Sequence, residues 1–405
     1  MSVESTSSVR WDLLDLADAH SLNEALAVSR RVAGEFAIGA RAFNFDWRLG
    51  ADRDCSSLRV FILRQEGIVR GFAVFSRRQR ALKFLFGEVS LAQVDLTRFW
   101  HLGEPFLDPQ LPPDAATAAC VSLIETALGS LGSRECLFFE GLPVDVPMHC
   151  ALNATSAYRA RPVQLNLGAD FDHQFIRMPD SFADYLSQLG SRSRQSLLYS
   201  QRRLLKDMDG DVQFECFESA HSVDKFVADA TVVSRKTYQW NLLGLGLRDS
   251  EGLRSSLSFS AKHGWLRSFI LYCKKAPVAF MLGSQQGDCY YYDDVGYDPA
   301  FAKSSVGSVL QLYVLEYLLN RADRPKYFDF STGYGEHKGR FGNFSRRETN
   351  LLVMPSTIDN RALAAAYRVN DRASKFAVDL LARAGIKEKL KRMIRRRSSR
   401  KGEEE

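Results

Sequence analysis

The chain has 405 residues, and 54 Lys and Arg residues against 48 Asp and Glu residues give it a formal net charge of +6. With 45% hydrophobic and 25% charged residues, the composition is that of a globular protein and excludes a disordered, collagen-like or low-complexity chain. At roughly 100–200 residues per domain, the length predicts two or three domains.

The N-terminal segment, Met1 to Asp12, lacks the basic start and the apolar run of a signal peptide. No apolar run in the chain approaches the ~18 residues that a membrane-spanning helix needs. The seven cysteines are scattered and form no CxxC pair, so the sequence predicts neither a disulfide framework nor a zinc site. We therefore expect a cytoplasmic protein.

The first group of predicted elements lies between residues 58 and 142. Short runs rich in Val, Phe, Ile and Leu predict strands at Leu58–Leu63, Val69–Phe75 and Leu82–Val89. Apolar residues at helical spacing predict a helix over Ala118–Leu131, after a Pro-Pro-Asp start signal, and Glu135–Glu140 reads as another strand.

The same order of elements returns roughly 200 residues later. The sequence predicts strands at Trp265–Cys273, Pro277–Gly283 and Cys289–Val295, a helix over Ser305–Leu319 and a strand at Tyr327–Phe330. Two copies of strand, strand, strand, helix, strand indicate a tandem pseudo-repeat of one α/β unit.

Helical regions lie between and after the two copies. Phe182–Lys206 and His221–Tyr238 are each predicted as one helical piece, and Ile358–Lys401 as a helical region that becomes steadily more basic. The part from Ser191 to Lys206 carries five cations and no acid. At 100° per residue one face collects the polar residues, namely Arg192, Gln195, Tyr199, Arg202, Arg203 and Lys206.

Arg194 lies instead on the apolar face of this helix, among Leu197 and Leu204. An unpaired buried charge is costly, so the arginine requires an anion or a carboxylate partner. The pattern leaves two interpretations open, a site residue or a core ion pair.

The helix before the last predicted strand begins with small residues. Its first turn offers backbone N–H groups with little bulk over them, which suits a pyrophosphate at the positive end of the helix dipole. An ordinary serine N-cap is the alternative interpretation. The residues of this candidate turn are Ser304, Ser305, Gly307 and Ser308.

The loop after the last predicted strand concentrates polar chemistry. Four glycines interrupt residues 333–342, and loops beside a rigid strand commonly hold functional residues. The chain has no GxSxG, P-loop or HExxH motif, so metal-dependent and serine-hydrolase chemistry are not indicated. The candidate residues of this loop are Tyr334, Glu336, His337, Lys338 and Arg340.

The segment from Phe328 to Gly342 resembles the closing motif of bacterial acetyltransferases of the GNAT superfamily that are associated with cellulose and exopolysaccharide biosynthesis. Its FDF strand is followed by a glycine, an acidic residue and a Lys-x-x-Phe-Gly element. The helix with Tyr185, Arg194 and Arg202 is similar to a helix of the same group. Fem-type peptidyl transferases share the lone arginine and the Lys-x-x-Phe-Gly element.

This resemblance implies an α/β (α+β) protein with two tandem GNAT-like domains, mixed and mostly antiparallel sheets, and a basic helical tail. Residues 1–165 would form a degenerate N-terminal GNAT-like domain, 166–355 the acyltransferase domain and 356–405 the tail. Acetyl-CoA or another acyl-CoA would bind at the candidate turn and at Asp294 and Val295 of the preceding strand, without a metal. The usual glycine-rich turn survives only as Ser304-x-x-Gly307-x-Val309.

The implied chemistry is acyl transfer to an amine or a hydroxyl. Backbone N–H groups around Tyr292 and Asp294 would polarise the thioester carbonyl, and Glu336 or His337 would act as the base. His337 stands where the relatives tend to have Tyr, so Tyr334 or Tyr292 would be the general acid. The predicted substrate-binding residues are Arg194, Lys338, Arg340 and Trp240.

The expected acceptor is a polysaccharide, a lipid-linked glycan precursor or another cell-envelope building block. One alternative is a Fem-like peptidyl transferase that uses aminoacyl-tRNA, and another is a catalytically inactive GNAT scaffold of an envelope-biosynthesis complex. No DNA partner is expected.

The C-terminal tail combines an apolar stripe with positive charge. Ile386, Leu390 and Ile394 recur at helical spacing, and Lys387–Lys401 holds nine Lys and Arg residues and one Glu. This pattern is typical of an interfacial helix on an anionic membrane, which would place the protein at the inner face of the cell membrane. RNA contact and a disordered basic end are the alternatives.

Overall fold

The computed structural model describes residues 10–36, 38–52, 54–87, 89–154, 157–237, 240, 246–332 and 335–383. Short 3₁₀ turns occur at Cys55–Ser57, Ala220–Ser222 and Pro299–Ser304. The described helices are α1 (Ala19–Glu35), α2 (Ala40–Phe43), α3 (Phe45–Asp52), α4 (Pro113–Gly129), α5 (Pro147–Asn153), α6 (Phe182–Gln188), α7 (Ser191–Asp207), α8 (Val223–Lys236), α9 (Glu251–Lys262), α10 (Val306–Leu319), α11 (Glu336–Phe341) and α12 (Ile358–Arg383).

The described strands are distributed along the whole described chain. They are β1 (Trp11–Leu13), β2 (Leu58–Gln65), β3 (Ile68–Phe86), β4 (Val89–Leu102), β5 (Phe106–Leu107), β6 (Glu135–Pro143), β7 (Val163–Asn166), β8 (Phe171–Arg177), β9 (Val212–Phe217), β10 (Ser268–Cys273), β11 (Ala276–Gln286), β12 (Cys289–Tyr297), β13 (Tyr327–Asp329) and β14 (Phe344–Met354).

The chain divides into two compact units. The first draws its described residues from Met1–Leu14, Ser56–Ala169 and Thr349–Glu405, and the second from Asp15–Cys55 and Asp170–Glu348. The segment that includes α1, α2 and α3 therefore packs with the second unit, although it lies near the start of the chain. The functional division at residues 165 and 355 stays a prediction.

In the first unit the strand order is β1-β2-β3-β4-β6-β14, with β5 on β3 and β7 on β14. Strands β4 and β6 pair in parallel and are connected through helix α4, whereas the β2–β3 and β3–β4 ladders are antiparallel. Trp11 fills the core beside Phe61 and Phe75, and its indole N–H donates to the Ala119 carbonyl oxygen at 2.8 Å.

In the second unit the strand order is β14-β8-β13-β12-β11-β10-β9. Only the first residues of β14, Phe344 to Glu348, belong to this unit, and they pair with β8. Strands β12 and β13 pair in parallel and are connected by helix α10, and the β10–β11 and β11–β12 ladders are antiparallel. Helix α10 is buried on most sides because its sequence is almost wholly apolar, and it packs in one core with Leu197 and Leu204 of α7.

The predicted fold class is confirmed, since both units contain strand, strand, strand, helix, strand with the last strand parallel to the third. The predicted strands at Val69–Phe75 and Leu82–Val89 are wrong as separate elements. They form the single strand β3, whose partner is the unpredicted β4. The charged run Arg77–Arg80 obscured the continuity because its side chains lie on an exposed part of the hairpin.

The single helical piece over Phe182–Lys206 is also wrong, because α6 and α7 are separated at Leu189 and Gly190. The helix predicted over His221–Tyr238 is confirmed as α8. The predicted C-terminal helical region is confirmed as far as Arg383, where α12 ends. Residues 384–405, with the basic tail, lie outside the described residues. In the part of the chain that the structure describes, no helix is both long and apolar enough to span a bilayer.

Candidate active site

The candidate site lies in the second unit, where strands β12 and β13 stop pairing. Their parallel register joins Cys289 to Tyr327, Tyr290 to Phe328 and Tyr291 to Asp329, and within the described residues the ladder ends there. Beyond Tyr291, β11 is the one strand among the described residues that pairs with β12. Because β13 ends at Asp329, main-chain groups on this edge of β12 can meet a ligand.

A bulge alters β12 at the same point. Tyr292 pairs with Gly283 and Asp294 pairs with Leu282, so Asp293 is an extra residue on this strand. A bulge bends its strand and re-aims the neighbouring side chains, and bulges occur often next to active sites.

The bulge brings two carboxylates together, and they differ in environment. Burial raises the pKa of Asp294 to about 6, and the neighbouring charge of Asp293 acts in the same direction. The Val295 N–H donates to the Asp294 carboxylate at 2.8 Å. A carboxyl group that titrates near neutrality is suited to accept and release protons at physiological pH.

Asp293 is held by Arg41, which reaches it from helix α2. The Arg41 guanidinium forms a two-pronged ion pair with this carboxylate, at 2.6 Å and 3.2 Å, and also donates to Ser284 Oγ at 2.5 Å. It lies 4.0 Å from the centre of the Tyr291 ring. A bidentate pair fixes its carboxylate in direction as well as in distance, so α2 holds the bulge in place.

A second buried network surrounds Asp329 at the end of β13. His173 Nε2 lies 2.6 Å from Asp329 Oδ1, and His173 Nδ1 lies 2.9 Å from Glu348 Oε2. Burial acts to lower the pKa of His173, but the two carboxylates raise it to about 9. His173 is therefore an imidazolium at neutral pH, and the pKa of Asp329 is lowered by it despite burial.

Asp329 in turn shapes the loop that follows it. Ser331 has a left-handed backbone with φ of 57°, and its N–H donates to Asp329 Oδ1 at 2.7 Å. Its hydroxyl donates to the Tyr292 carbonyl oxygen at 2.5 Å, which joins the loop to β12. A non-glycine residue in this region is strained and persists only where its surroundings impose it.

Lys338 of α11 binds the same loop. Its ammonium donates to the carbonyl oxygens of Ser331 and Thr332, each at 3.1 Å, and its side chain is buried. Burial lowers the pKa of Lys338, and the charge of Asp329 offsets part of that effect. An ammonium has three N–H donors, so one remains for a ligand after these two bonds.

Arg340 and Arg194 belong to two helices that touch. Arg340 donates to Ser196 Oγ of α7 at 3.1 Å. Arg194, two residues earlier on α7, is half-buried, and no side chain of the described residues forms an ion pair or hydrogen bond with its guanidinium. The predicted polar face of α7 is confirmed, since Arg192, Arg202 and their neighbours on that face are exposed.

The other predicted residues are not all gathered at this point. Tyr292 lies in the core, with its ring against Phe328 and Phe330. Trp240 donates its backbone N–H to Thr237 Oγ1 and lies under the Arg248 guanidinium. Tyr334 lies outside the described residues, and the structure describes only the backbone of Glu336 and His337 within α11.

The predicted pyrophosphate turn shows mixed features. Ser305 is left-handed, with φ of 52°, and the first N–H groups of α10, at Val306 and Gly307, have no acceptor within the helix. Ser304, however, is buried with its Oγ 3.4 Å from an Asp207 carboxylate oxygen. This negative charge opposes a pyrophosphate at Ser304, although Ser305, Gly307 and Ser308 stay accessible in part.

Sequence reasoning assigned Asp294 to cofactor binding and missed the role of its carboxyl group, and it missed Arg41 and His173 altogether. His173 carried a signal, because it alternates with Phe171 and Phe175 on one face of a strand. Arg41 carried none, since its partner lies 252 positions away.

Residues 191–339 match the model of the acetyltransferase (GNAT) domain. The similarity to this domain therefore covers the part of the second unit from α7 into α11. Among curated proteins the chain has no significant match.

Two solved structures share the fold at low identity, and a third is less similar. FemX is 11% identical, with 80% of this chain and 93% of that chain covered and a TM-score of 0.53. The C-terminal domain of a putative lysylphosphatidylglycerol synthetase from Agrobacterium fabrum is 13% identical, with 86% and 96% covered and a TM-score of 0.51. A tandem GNAT protein from the clavulanic acid biosynthesis pathway is 12% identical, with 86% and 100% covered and a TM-score of 0.46.

Proposed function

We propose that this protein is an acyl-CoA-dependent N- or O-acyltransferase, an acetyltransferase in the simplest case. The observation that carries the proposal is Asp294, a carboxyl group with a pKa of about 6 beside the point where β12 and β13 part. The proposed acceptor is a polysaccharide, a lipid-linked glycan precursor or another cell-envelope building block. Its class rests on the motif resemblance of the closing loop.

The first requirement of the reaction is a polarised thioester carbonyl. Main-chain N–H groups on the edge of β12 beyond Tyr291 are suitable donors, because they are fixed by the strand and need no reorganisation as charge develops. The bulge and the bond from Ser331 to Tyr292 hold this edge in place.

The second requirement is movement of protons. Asp294 accepts the proton of the attacking amine or hydroxyl, the new C–N or C–O bond forms, and the C–S bond breaks to release a thiolate. Tyr334 or Tyr292 then returns a proton to the sulfur. Burial raises the pKa of Tyr292, so its hydroxyl stays protonated at neutral pH but is a weaker acid than a solvated tyrosine. Glu336 and His337 remain the alternative bases.

The third requirement is an oriented acceptor. Arg194 suits an anionic group such as a phosphate or a carboxylate, because it is half-buried and without a partner among the described side chains. Lys338 supplies its remaining N–H to the same group, and Arg340 and Trp240 extend the proposed acceptor surface. Ser305, Gly307 and Ser308 would take the acyl-CoA phosphates, with Asp294 and Val295 along the acyl arm.

A binding experiment and a turnover experiment together test the proposal. Calorimetric titration with acetyl-CoA should show binding below millimolar concentration, and thiol release with an envelope-type acceptor should need both Arg194 and Lys338. The absence of binding at millimolar acetyl-CoA would rule out the proposed acetyltransferase activity. Unchanged turnover in both Arg194→Ala and Lys338→Ala removes the acceptor site.

A second candidate is Fem-like transfer from aminoacyl-tRNA. The exposed cationic face of α7 and the fold shared with FemX favour it, as does Asp207 beside Ser304. Binding of charged tRNA in preference to acetyl-CoA would decide for this alternative. Failure to bind either donor would leave the third alternative, an inactive scaffold.

We also propose a cytoplasmic location with peripheral contact between the C-terminal tail and the inner face of the cell membrane. The support is the sequence pattern of Lys387–Lys401. Co-sedimentation with liposomes, with and without residues 386–405, tests the tail, and equal binding by both forms would reject it.

A further inference from the structure

Helix α12 presents an apolar face to solvent. Val369 is 67% exposed and Phe376 is 72% exposed, and Ile358 and Leu380 are also exposed. At 100° per residue these four side chains fall within a sector of about 40°. A soluble helix normally turns such a stripe toward a core, so this face requires a separate explanation.

The helix already packs by its opposite side. Ala364, Leu363 and Tyr367 contribute to a core with β7 and β14. Asn370 donates to the Leu85 carbonyl oxygen at 2.9 Å, and Ser374 Oγ accepts from the Gly87 N–H at 2.9 Å, at the tip of the β3–β4 hairpin. The fold of the first unit thus holds α12 firmly while its apolar stripe remains outward.

A cationic cleft adjoins a third side of α12. The cleft has a volume of about 590 Å³ and lies between residues 161–168 and the helix. Its lining contains the cations Arg161, Arg361, Arg368 and Lys375 and the single acid Asp371. Positive charge next to an apolar stripe is the pattern of a helix that lies in the interface of an anionic bilayer.

We propose that α12 docks the first unit on an anionic membrane surface. The apolar stripe enters the boundary between headgroups and acyl chains, and the cleft cations face the lipid phosphates. The docking surface belongs to the folded unit and is distinct from the tail that follows it. It is also independent of the proposed transfer chemistry.

Charge decides between a membrane and a second copy of the chain. A two-fold contact through this face would bring like-charged rows close together, with four cations and one acid lining each cleft. The chain then continues into nine further cations between Lys387 and Lys401. An anionic bilayer satisfies both the apolar stripe and this excess of positive charge.

The test is flotation of the full-length protein with phosphatidylcholine vesicles that contain or lack phosphatidylglycerol. We expect binding to the anionic vesicles only. The double variant Val369→Glu with Phe376→Glu should lower the partition coefficient about tenfold or more, since it places charge on the face that enters the bilayer. Arg161→Gln should lower it on the order of fivefold. Val232→Glu, at a side chain of α8 that is 47% exposed, is the matched control and should bind as the wild type does.

Three results would overturn the proposal: no binding, equal binding to both kinds of vesicle, or wild-type binding by the Val369 and Phe376 double variant. The last would assign all affinity to the tail. Analytical ultracentrifugation supplies a further check. A wild-type dimer that Phe376→Glu dissociates would assign the face to a second copy of the chain instead.

Discussion

Replacement of His173 by glutamine should weaken the second unit in a way that depends on pH. The imidazolium bridges Asp329 and Glu348, and its pKa rises from 6.5 to about 9 in the fold. This difference corresponds to about 3 kcal/mol of folding free energy. A group with a raised pKa contributes fully below pH 6.5, and the contribution is lost as the pH rises through 9. His173→Gln should therefore cost about 3 kcal/mol at pH 6, and the cost should shrink toward pH 9.

Hydrogen-exchange mass spectrometry along a urea titration measures this effect locally, on peptides that cover β8 and β13. The two units need not unfold together, so a local probe is preferable to one global signal. His20→Gln, on the exposed start of α1, is the matched control and should leave the profile unchanged. A wild-type stability that is flat between pH 6.5 and 9, or a variant that follows the wild type in parallel, would refute the reasoning.

Three further predictions concern β12 and its neighbours. Asp294→Asn should lower turnover about a hundredfold or more, and it should remove the rise of activity with pH near 6 that the wild type shows as this base deprotonates; a retained rise points to another base. Arg41→Met should lower the free energy of unfolding, measured by thermal denaturation, by about 2 kcal/mol. This loss is smaller than for a fully buried ion pair, because the Asp293 side chain is one-third exposed. Arg41→Lys should have an intermediate effect. Gly283→Ala should cost about 1–3 kcal/mol, because the new Cβ would lie 2.7 Å from a main-chain oxygen of β12. Gly34→Ala in helix α1 meets nothing and should be neutral or stabilising by up to about 1 kcal/mol in the same assay.

The sequence predicted those parts of the fold whose pattern is local and strongly apolar. Strand β10 is buried throughout, helix α10 is mostly buried, and β11 and β12 each contain a buried apolar run, so continuous apolar segments marked them. Strand β4 was not predicted, because its first half is exposed and polar residues interrupt it. Its existence depends on pairing with β3, which a local pattern does not report.

The site divides in the same way. The closing loop with Lys338 was predictable, since its motif is contiguous in sequence. The pKa of Asp294 was not, because it depends on burial and on a bulge that only the β11–β12 register creates. Arg194 shows an intermediate case: its place on the apolar side of α7 follows from helical geometry, but only the fold shows that it finds no protein partner among the described residues.

The attachment of Asp15–Cys55 to the second unit has a consequence for synthesis. Arg41 leaves the ribosome 252 residues before its partner Asp293. At about 5–20 residues per second the delay is about 12–50 s. During that time Phe43 and Phe45, which are buried in the folded protein, lack the rest of the second unit. The first unit is equally incomplete until β14 is made, so neither unit is able to finish folding before the last quarter of the chain appears. We therefore expect this nascent chain to depend on chaperones more than a protein with two sequentially contiguous domains would.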